Sequence, residues 1–472
     1  MLPTSRPDDG ARLMSVTFLS DLMSELGQRG RNLLLRGRGS RKSPEELCDA
    51  LVSQKGQVSC FVLSEAIFDH WEGLDDDGRQ TFLTMLAERF GPDREAILRA
   101  ADALKDGADI DALYRMHRAS EPRAQELIRR LNHARDGTHR LVKMRETLIK
   151  AAATNPDLKN LDGDFAHLFT SWFNRGFLEL LPINWDTSAN VLEKIIRYEA
   201  VHEIAGWDDL RRRIAPRDRR LFAFFHPQMR DEPLIFVEVA LTDHVPDTIG
   251  SLLASDRTEL DPRTATTAVF YSISNCQDGL NGISFGNFLI KQVVDKLRAE
   301  FPNLRNFVTL SPVPGFGAWL HRALAGKAQS LLSPQDIELL RLADAGDWHE
   351  DMEKPPQLGA LLQGLAAYYF LEERDSRNRP IDPVARFHLG NGACLENIHA
   401  FADLSEKGRS SARTLMVNYR YATADIEANH EAYAERGIVA ASPNVKDILR
   451  KFMARARNNQ TLTHQSQKNH VA

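Results

Sequence analysis

The chain is poor in the features that mark several whole classes of protein. Its 472 residues include only four cysteines, Cys48, Cys60, Cys276 and Cys394, far apart and without a C-x-x-C pair or a Cys/His cluster. A disulfide framework and a structural zinc site are thereby excluded. There is no surplus of positive charge: 60 Lys plus Arg stand against 65 Asp plus Glu, a formal net charge of -5, so the basic footprint of a nucleic-acid binder is missing. Long apolar runs are missing too. The longest uncharged stretch, 355–371, carries two Gln, two Gly and two Pro and falls short of the ~20 apolar residues of a spanning helix. A buried core helix is expected there. The N-terminal stretch is basic, with Arg29, Arg31, Arg36, Arg38, Arg41 and Lys42, but it also carries Asp8, Asp9, Asp21 and Glu25, which organelle transit segments avoid. These features predict a cytoplasmic, reducing environment with neither nucleic acid nor membrane as partner.

What is present is an ordinary globular mixture, 43% hydrophobic and 26% charged, long enough for two or three domains. Residues 1–42 read as a basic, loosely ordered N-terminus. Ser43-Pro44-Glu45-Glu46 then gives a helix start, with Ser as N-cap, Pro at N1 and Glu46 closing a capping box. From 43 to 180 the pattern is helical. Leu127, Leu131, Ala134, Thr138 and Leu141 predict one stripe along a long helix over 123–149. That stripe serves either an oligomer contact or an intramolecular bundle. The character changes after Leu181-Pro182. Helices are predicted through Tyr198 and over Trp207–Ile214, then a hairpin from Leu221–His226 and Leu234–Leu241. A third strand, Thr267–Ser274, leads through a glycine-rich loop into a helix over 286–300, and a fourth strand, Asn306–Ser311, follows. The rest to about 455 reads as mostly helical, and 456–472 as a polar tail. The fold class expected is an all-helical domain (43–180) followed by an α/β domain (181–455).

Three segments carry chemistry. After Ser274 come Gly279, Gly282 and Gly286, then an amphipathic helix. Glycines allow close approach of backbone to ligand, and a helix N-terminus offers free N–H groups, a combination suited to phosphate. The spacing fits neither the Walker loop nor the dinucleotide fingerprint. Gly282-Ile283-Ser284-Phe285-Gly286 matches the G-x-S-x-G nucleophile elbow. Residues 275–281, however, separate it from the strand, and too few strands precede it for a hydrolase sheet. Ser311 stands at the carboxyl end of a strand before Pro312-Val313-Pro314-Gly315, where α/β sheets gather ligands; a turn-capping serine is the plainer alternative. His388 lies between apolar neighbours beside Gly390-Asn391-Gly392, and a lone histidine there is often a core residue. Spacing alone does not unite Ser311 with His388.

The segments FYSISNCQDGLNGISFGNFLIKQVV, FVTLSPVPGF and DPVARFHLGNGA, with EPLIFVEVALT upstream and LMVNYRY downstream, resemble the malonyl-CoA decarboxylase family in content and order. The resemblance implies a helical oligomerisation domain followed by a catalytic domain of the acyl-CoA N-acyltransferase (GNAT) type, with pantetheine between two splayed strands and pyrophosphate at the loop before the helix. By position it implies Ser311 and His388 as the catalytic pair. It also implies Asn281, Gly282, Ile283, Ser284, Phe285, Gly286 and Asn287 as the malonyl-CoA-binding loop, together with Ser311 and His388. Ser284 departs from the family, which often has an acid there. The implied reaction turns malonyl-CoA into acetyl-CoA and CO2 in a homo-oligomer, dimer or tetramer. It needs no cofactor and no metal, because the thioester is itself the electron sink. Two other readings stand beside it: an acyltransferase on the same fold, and a non-catalytic CoA-responsive scaffold.

Overall fold

A computed structural model of the chain describes residues 42–54, 56–105, 110–283, 285, 289–324, 326, 331–344 and 356–469. The chain divides into two compact units. One comprises the residues up to Leu178 together with His226–Arg230 and Gln277–Phe285; the other comprises Glu179–Phe225, Asp231–Cys276 and the chain from Gly286 onward. The expected N-terminal segment 1–42 lies almost wholly outside the described residues.

The first unit is helical, as its 3.6-residue periodicity dictates. Its opening helix, Pro44–Ser53, has the full capping box: Ser43 Oγ accepts from the Glu46 N–H, and the Glu46 carboxylate accepts from the Ser43 N–H. The single helix expected over 123–149 is instead two, Arg123–Leu131 and Gly137–Thr154. Asp136 takes a left-handed φ of 52°, and a Cβ on Gly137 would stand 2.8 Å from the Asn132 carbonyl oxygen. The chain turns there, and the stripe wraps inward. Leu127, Leu131, Ala134, Thr138 and Leu141 are all buried in this unit, so the stripe builds an intramolecular bundle.

The second unit is built on one mixed sheet of eight strands: β1 Glu179–Ile183, β2 Arg219–Phe225, β3 Ile235–Thr242, β4 Thr267–Asn275, β5 Asn306–Thr309, β6 Ser311–Pro312, β7 Cys394–His399 and β8 Met416–Arg420. The predicted hairpin is β2–β3, antiparallel, with Leu221 opposite Glu238. β3 pairs antiparallel with β4 through a bulge between Glu238 and Val239. β4 and β5 are the one parallel pair among the described strands, from Thr267↔Asn306 to Phe270↔Thr309. Beyond Thr309 the partners part. Leu310 N–H still donates to the Phe270 carbonyl, but Ser311 and Pro312 join β8 instead, while β4 continues to Asn275. This divergence leaves β4 and the segment after β5 splayed apart.

Helices Ala189–Tyr198 and Trp207–Ile214 pack on the sheet through Leu192, Ile195, Leu210 and Ile214 against Leu221, Ala223 and Phe236. At the end of the first, Glu199 accepts from Ser272 Oγ (2.8 Å) and Ser274 Oγ (3.2 Å), tying that helix to β4. Three expectations fail. β1 escapes notice because Pro182 sits in it, tolerated on an edge strand that needs no further ladder partner. β7 and β8 lie in a stretch read as helical; the register shift between Leu395 and Asn397 breaks the period of two in β7. The supposed polar tail is helical, since helix Pro443–Asn469 runs through it. The apolar run at 355–371 is a buried helix as expected, Pro356–Leu371.

Candidate functional site

Ser311 and His388, 77 residues apart in sequence, meet inside the second unit with Ser311 Oγ 3.2 Å from His388 Nε2. Each is placed by an identifiable local cause. The departure of the chain from β4 at Leu310 brings Ser311 into register with Val417 of β8. His388 lies in the last turn of helix Pro383–Gly390, which starts where Asp382 accepts from the Ala385 N–H and Pro383 presets the first turn. The helix ends at the Gly-Asn-Gly turn. Gly392 has φ +80°, and a Cβ there would stand 2.1 Å from the Ile426 carbonyl oxygen.

The two motifs are also locked to each other. Gly315, after Ser311-Pro-Val-Pro, leaves room for Tyr369, whose hydroxyl would lie 2.5 Å from a Cβ at that position. That hydroxyl donates to the Asp382 carboxylate (3.2 Å), the same group that caps the histidine helix.

A chain of hydrogen bonds then fixes the proton positions. Ser311 Oγ donates to Thr309 Oγ1 (2.9 Å), which also accepts from the Tyr419 N–H (3.0 Å). On the other side of the ring, Nδ1 lies 2.8 Å from the Tyr421 hydroxyl. With Ser311 donating to Thr309, its free acceptor lobe faces Nε2, so the imidazole carries its proton on Nε2 and accepts from Tyr421 at Nδ1. The Tyr419 ring stacks on the imidazole, centroids 4.5 Å apart and 23° between planes.

Ser311 is 6% exposed and His388 3%; Thr309, Tyr419 and Tyr421 are buried as well. Burial pushes the His388 pKa down to about 3, overriding the pull toward the charged form that a helix C-terminus exerts. Burial likewise pushes the Tyr421 phenol up. The site is therefore a neutral, dry hydroxyl–imidazole–phenol chain.

The loop residues fall elsewhere. Asn281, Gly282, Ile283 and Phe285 belong to the first unit; Ser284, Gly286 and Asn287 lie outside the described residues. Asn281 and Gly282 are exposed, Ile283 is buried, and Gly282 has the φ of +80° that favours glycine. Gly279 proves to be a packing glycine: a Cβ there would fall 1.9 Å from the Val142 carbonyl oxygen. The elbow reading loses its frame, because a hydrolase elbow tops a parallel sheet and this sheet is mainly antiparallel. Sequence reasoning missed Thr309, Tyr419 and Tyr421. The i, i+2 spacing of the two tyrosines is a strand signal that sends both side chains the same way, Tyr419 from β8 and Tyr421 from the residue just past its end.

The class so defined is a helical unit followed by a mixed-sheet α/β unit holding a buried serine–imidazole pair. The comparisons with known proteins name the family. The model of the malonyl-CoA decarboxylase C-terminal domain matches residues 176–459, and that of the malonyl-CoA decarboxylase N-terminal domain matches residues 90–173. The chain belongs to the malonyl-CoA decarboxylase family, whose members are carboxy-lyases. It is 33% identical over 417 residues to the mitochondrial malonyl-CoA decarboxylase of Anser anser anser, covering 81% of this chain and 82% of that one. The crystal structure of malonyl-CoA decarboxylase from Rhodopseudomonas palustris superposes with a TM-score of 0.83 at 51% identity, over 86% of this chain and all of that one. The enzyme from Agrobacterium vitis gives 0.82 at 54% identity, with the same coverage.

A neutral buried imidazole has a consequence for stability. The unfolded chain binds a proton at the ordinary histidine pKa near 6.5, whereas the folded group resists until about 3. The stability it supports is complete above 6.5 and is lost as pH falls toward 3, at about 1.4 kcal/mol per pH unit. Urea titrations between pH 6 and 4 should show a shallower loss of stability for His388→Gln than for wild type, by about that slope. Parallel slopes would show that His388 charges normally in the folded protein.

Proposed function

We propose that this chain decarboxylates malonyl-CoA at the Ser311–His388 pair, with the 281–287 loop holding the CoA phosphates. The observation that supports the roles is the hydrogen-bond chain Tyr421–His388–Ser311–Thr309, all four side chains buried. A malonyl carboxylate entering such a site exchanges its hydration for a few hydroxyl contacts, which favours loss of CO2. The electron pair of the breaking C–C bond passes into the thioester, giving the enolate of acetyl-CoA. Ser311 hydrogen-bonds the reacting malonyl group as charge moves from carboxylate to enolate oxygen.

The new carbanion then needs a proton. His388 supplies it from Nε2, the nitrogen that faces Ser311. Because the ring starts neutral, the Tyr421 hydroxyl passes its own proton to Nδ1 in the same step, and no imidazolate forms. After product leaves, Nδ1 returns its proton to the Tyr421 oxygen and a proton from solvent is taken up at Nε2, which restores the resting tautomer. The acyltransferase alternative would instead call for a site that deprotonates an amine, and the Nε2–H tautomer of His388 presents a donor there.

The oligomeric state follows a different surface from the one the stripe suggested. Helices Arg94–Lys105 and Ile110–Ser120 bury little beyond Ala100 and Ala112, while Leu98, Ile110, Leu113 and Tyr114 stand 56–68% exposed on them. These exposed apolar side chains support the reading of a homo-oligomer that associates through this helical pair. A reducing, cytoplasmic location is supported by four free cysteines; among the described residues no helix is long and apolar enough to cross a membrane.

Product analysis should find acetyl-CoA and CO2 from malonyl-CoA, rather than malonate and free CoA. His388→Ala should lower kcat by ~10²–10⁴-fold with little change in KM, as expected for a lost general acid, and Ser311→Ala should lower kcat as well. Near-wild-type CO2 release by both folded variants would refute the assignment. Sedimentation of a Leu98→Asp/Leu113→Asp double variant should give a smaller species than wild type; an unchanged sedimentation coefficient would rule this surface out.

A further inference from the structure

The segment that carries the proposed CoA-binding loop is fastened by the helical unit to which it belongs. Arg145, on helix Gly137–Thr154, is 3% exposed. Its Nη1 donates to the carbonyl oxygens of Gly279 (2.8 Å) and Asn281 (3.0 Å), and its Nε donates to the Asp162 carboxylate on helix Lys159–Trp172 (2.8 Å). The guanidinium also lies over the Phe169 ring, 6.0 Å from the centroid. One turn before Arg145, the Val142 carbonyl presses on Gly279 so closely that no Cβ fits between them. The short 3-10 turn Asp278–Leu280 is thus held from two sides of a single helix.

A buried guanidinium is costly unless every donor is used and its charge is met. Here Asp162 meets the charge at Nε, and Nη1 sends its two donors to two carbonyls of one turn. Neither lysine's single ammonium nor an apolar side chain can reproduce that geometry. The turn ends at Asn281, where the exposed, positive-φ Gly282 begins the loop, so the Arg145 contact fixes the backbone from which the loop starts.

We infer that Arg145 and Asp162 are positioning residues for malonyl-CoA: through the Gly279 and Asn281 carbonyls they hold the start of the loop proposed to receive the CoA phosphates. The inference rests on the reading of 281–287 as the CoA loop. It assigns no chemical step to Arg145, which acts on substrate affinity alone.

Steady-state kinetics of the full-length chain test it with two substrates, malonyl-CoA and the malonyl thioester of N-acetylcysteamine, which lacks the nucleotide and its phosphates. Arg145→Lys and Asp162→Asn should raise KM for malonyl-CoA by about 10- to 100-fold, the range set by a lost charge-assisted hydrogen bond. The effect on kcat should be far smaller, and the preference for malonyl-CoA over the short thioester should narrow by a comparable factor. Gly279→Ala, which pushes the turn off Val142, should act in the same direction, and it carries the test if Arg145→Lys loses its cooperative thermal transition.

Gly282→Val separates the two ideas. If it raises KM for malonyl-CoA while the Arg145, Asp162 and Gly279 variants do not, the positioning inference is wrong and the loop reading stands. If Gly282→Val also leaves KM unchanged, the loop reading fails and the inference with it. Equal losses on both thioesters in the Arg145 and Asp162 variants would mark a structural role and overturn the proposal.

Discussion

An imidazole that gives up a proton in a buried site, the role proposed for His388, is subject to one constraint: it must stay uncharged while its proton is kept on the correct nitrogen. The structure meets both halves with neutral partners. Thr309 takes the Ser311 proton, which leaves Ser311 as an acceptor for Nε2–H, and Tyr421 donates to Nδ1. Among the described residues no carboxylate touches the ring, and burial takes its pKa down to about 3. A carboxylate partner would instead hold an imidazolium, and a resident positive charge would stabilise the malonyl carboxylate that has to leave. The neutral tyrosine is the partner that suits a decarboxylation.

Much of the second unit can be understood as what it takes to assemble that chain. Parallel pairing of β4 with β5 ends at Thr309, and the change of partner delivers Ser311 to β8. β8 in turn supplies Tyr419, and the residue just past its end, Tyr421, stands two positions on, while its Asn418 amide donates to the Thr309 carbonyl (2.8 Å). The histidine helix is set by Asp382, and Tyr369 links Asp382 to the Gly315 turn. Five separated pieces of sequence converge through contacts that each tolerate little change in size.

How much of this was legible beforehand depends on whether a signal is local. The capping box at Ser43, the β2–β3 hairpin, the parallel crossover and the core helix Pro356–Leu371 all announce themselves in fewer than about thirty residues, and all are present. Ser311 and His388 could be singled out one at a time, but only the resemblance joined them, because no spacing rule spans 77 residues. Tyr421 and Thr309 were invisible for the same reason. Elsewhere the local signal misled. The stripe at Leu127–Leu141 has helical spacing, yet a left-handed residue at Asp136 folds it on itself. β7 hides its period behind a bulge. Gly279 read as a phosphate glycine, whereas the carbonyl of Val142 explains it.

The account stands or falls on the state of His388 in the resting protein. Nitrogen NMR of protein labelled at histidine, with the His388 signals assigned by their loss in His388→Gln, reads that state directly. A protonated Nε2 and a bare, hydrogen-bonded Nδ1 that persist unchanged from pH 8 to pH 5 are predicted. An imidazolium forming near pH 6.5, or a proton resting on Nδ1, would contradict the proposed donor chain.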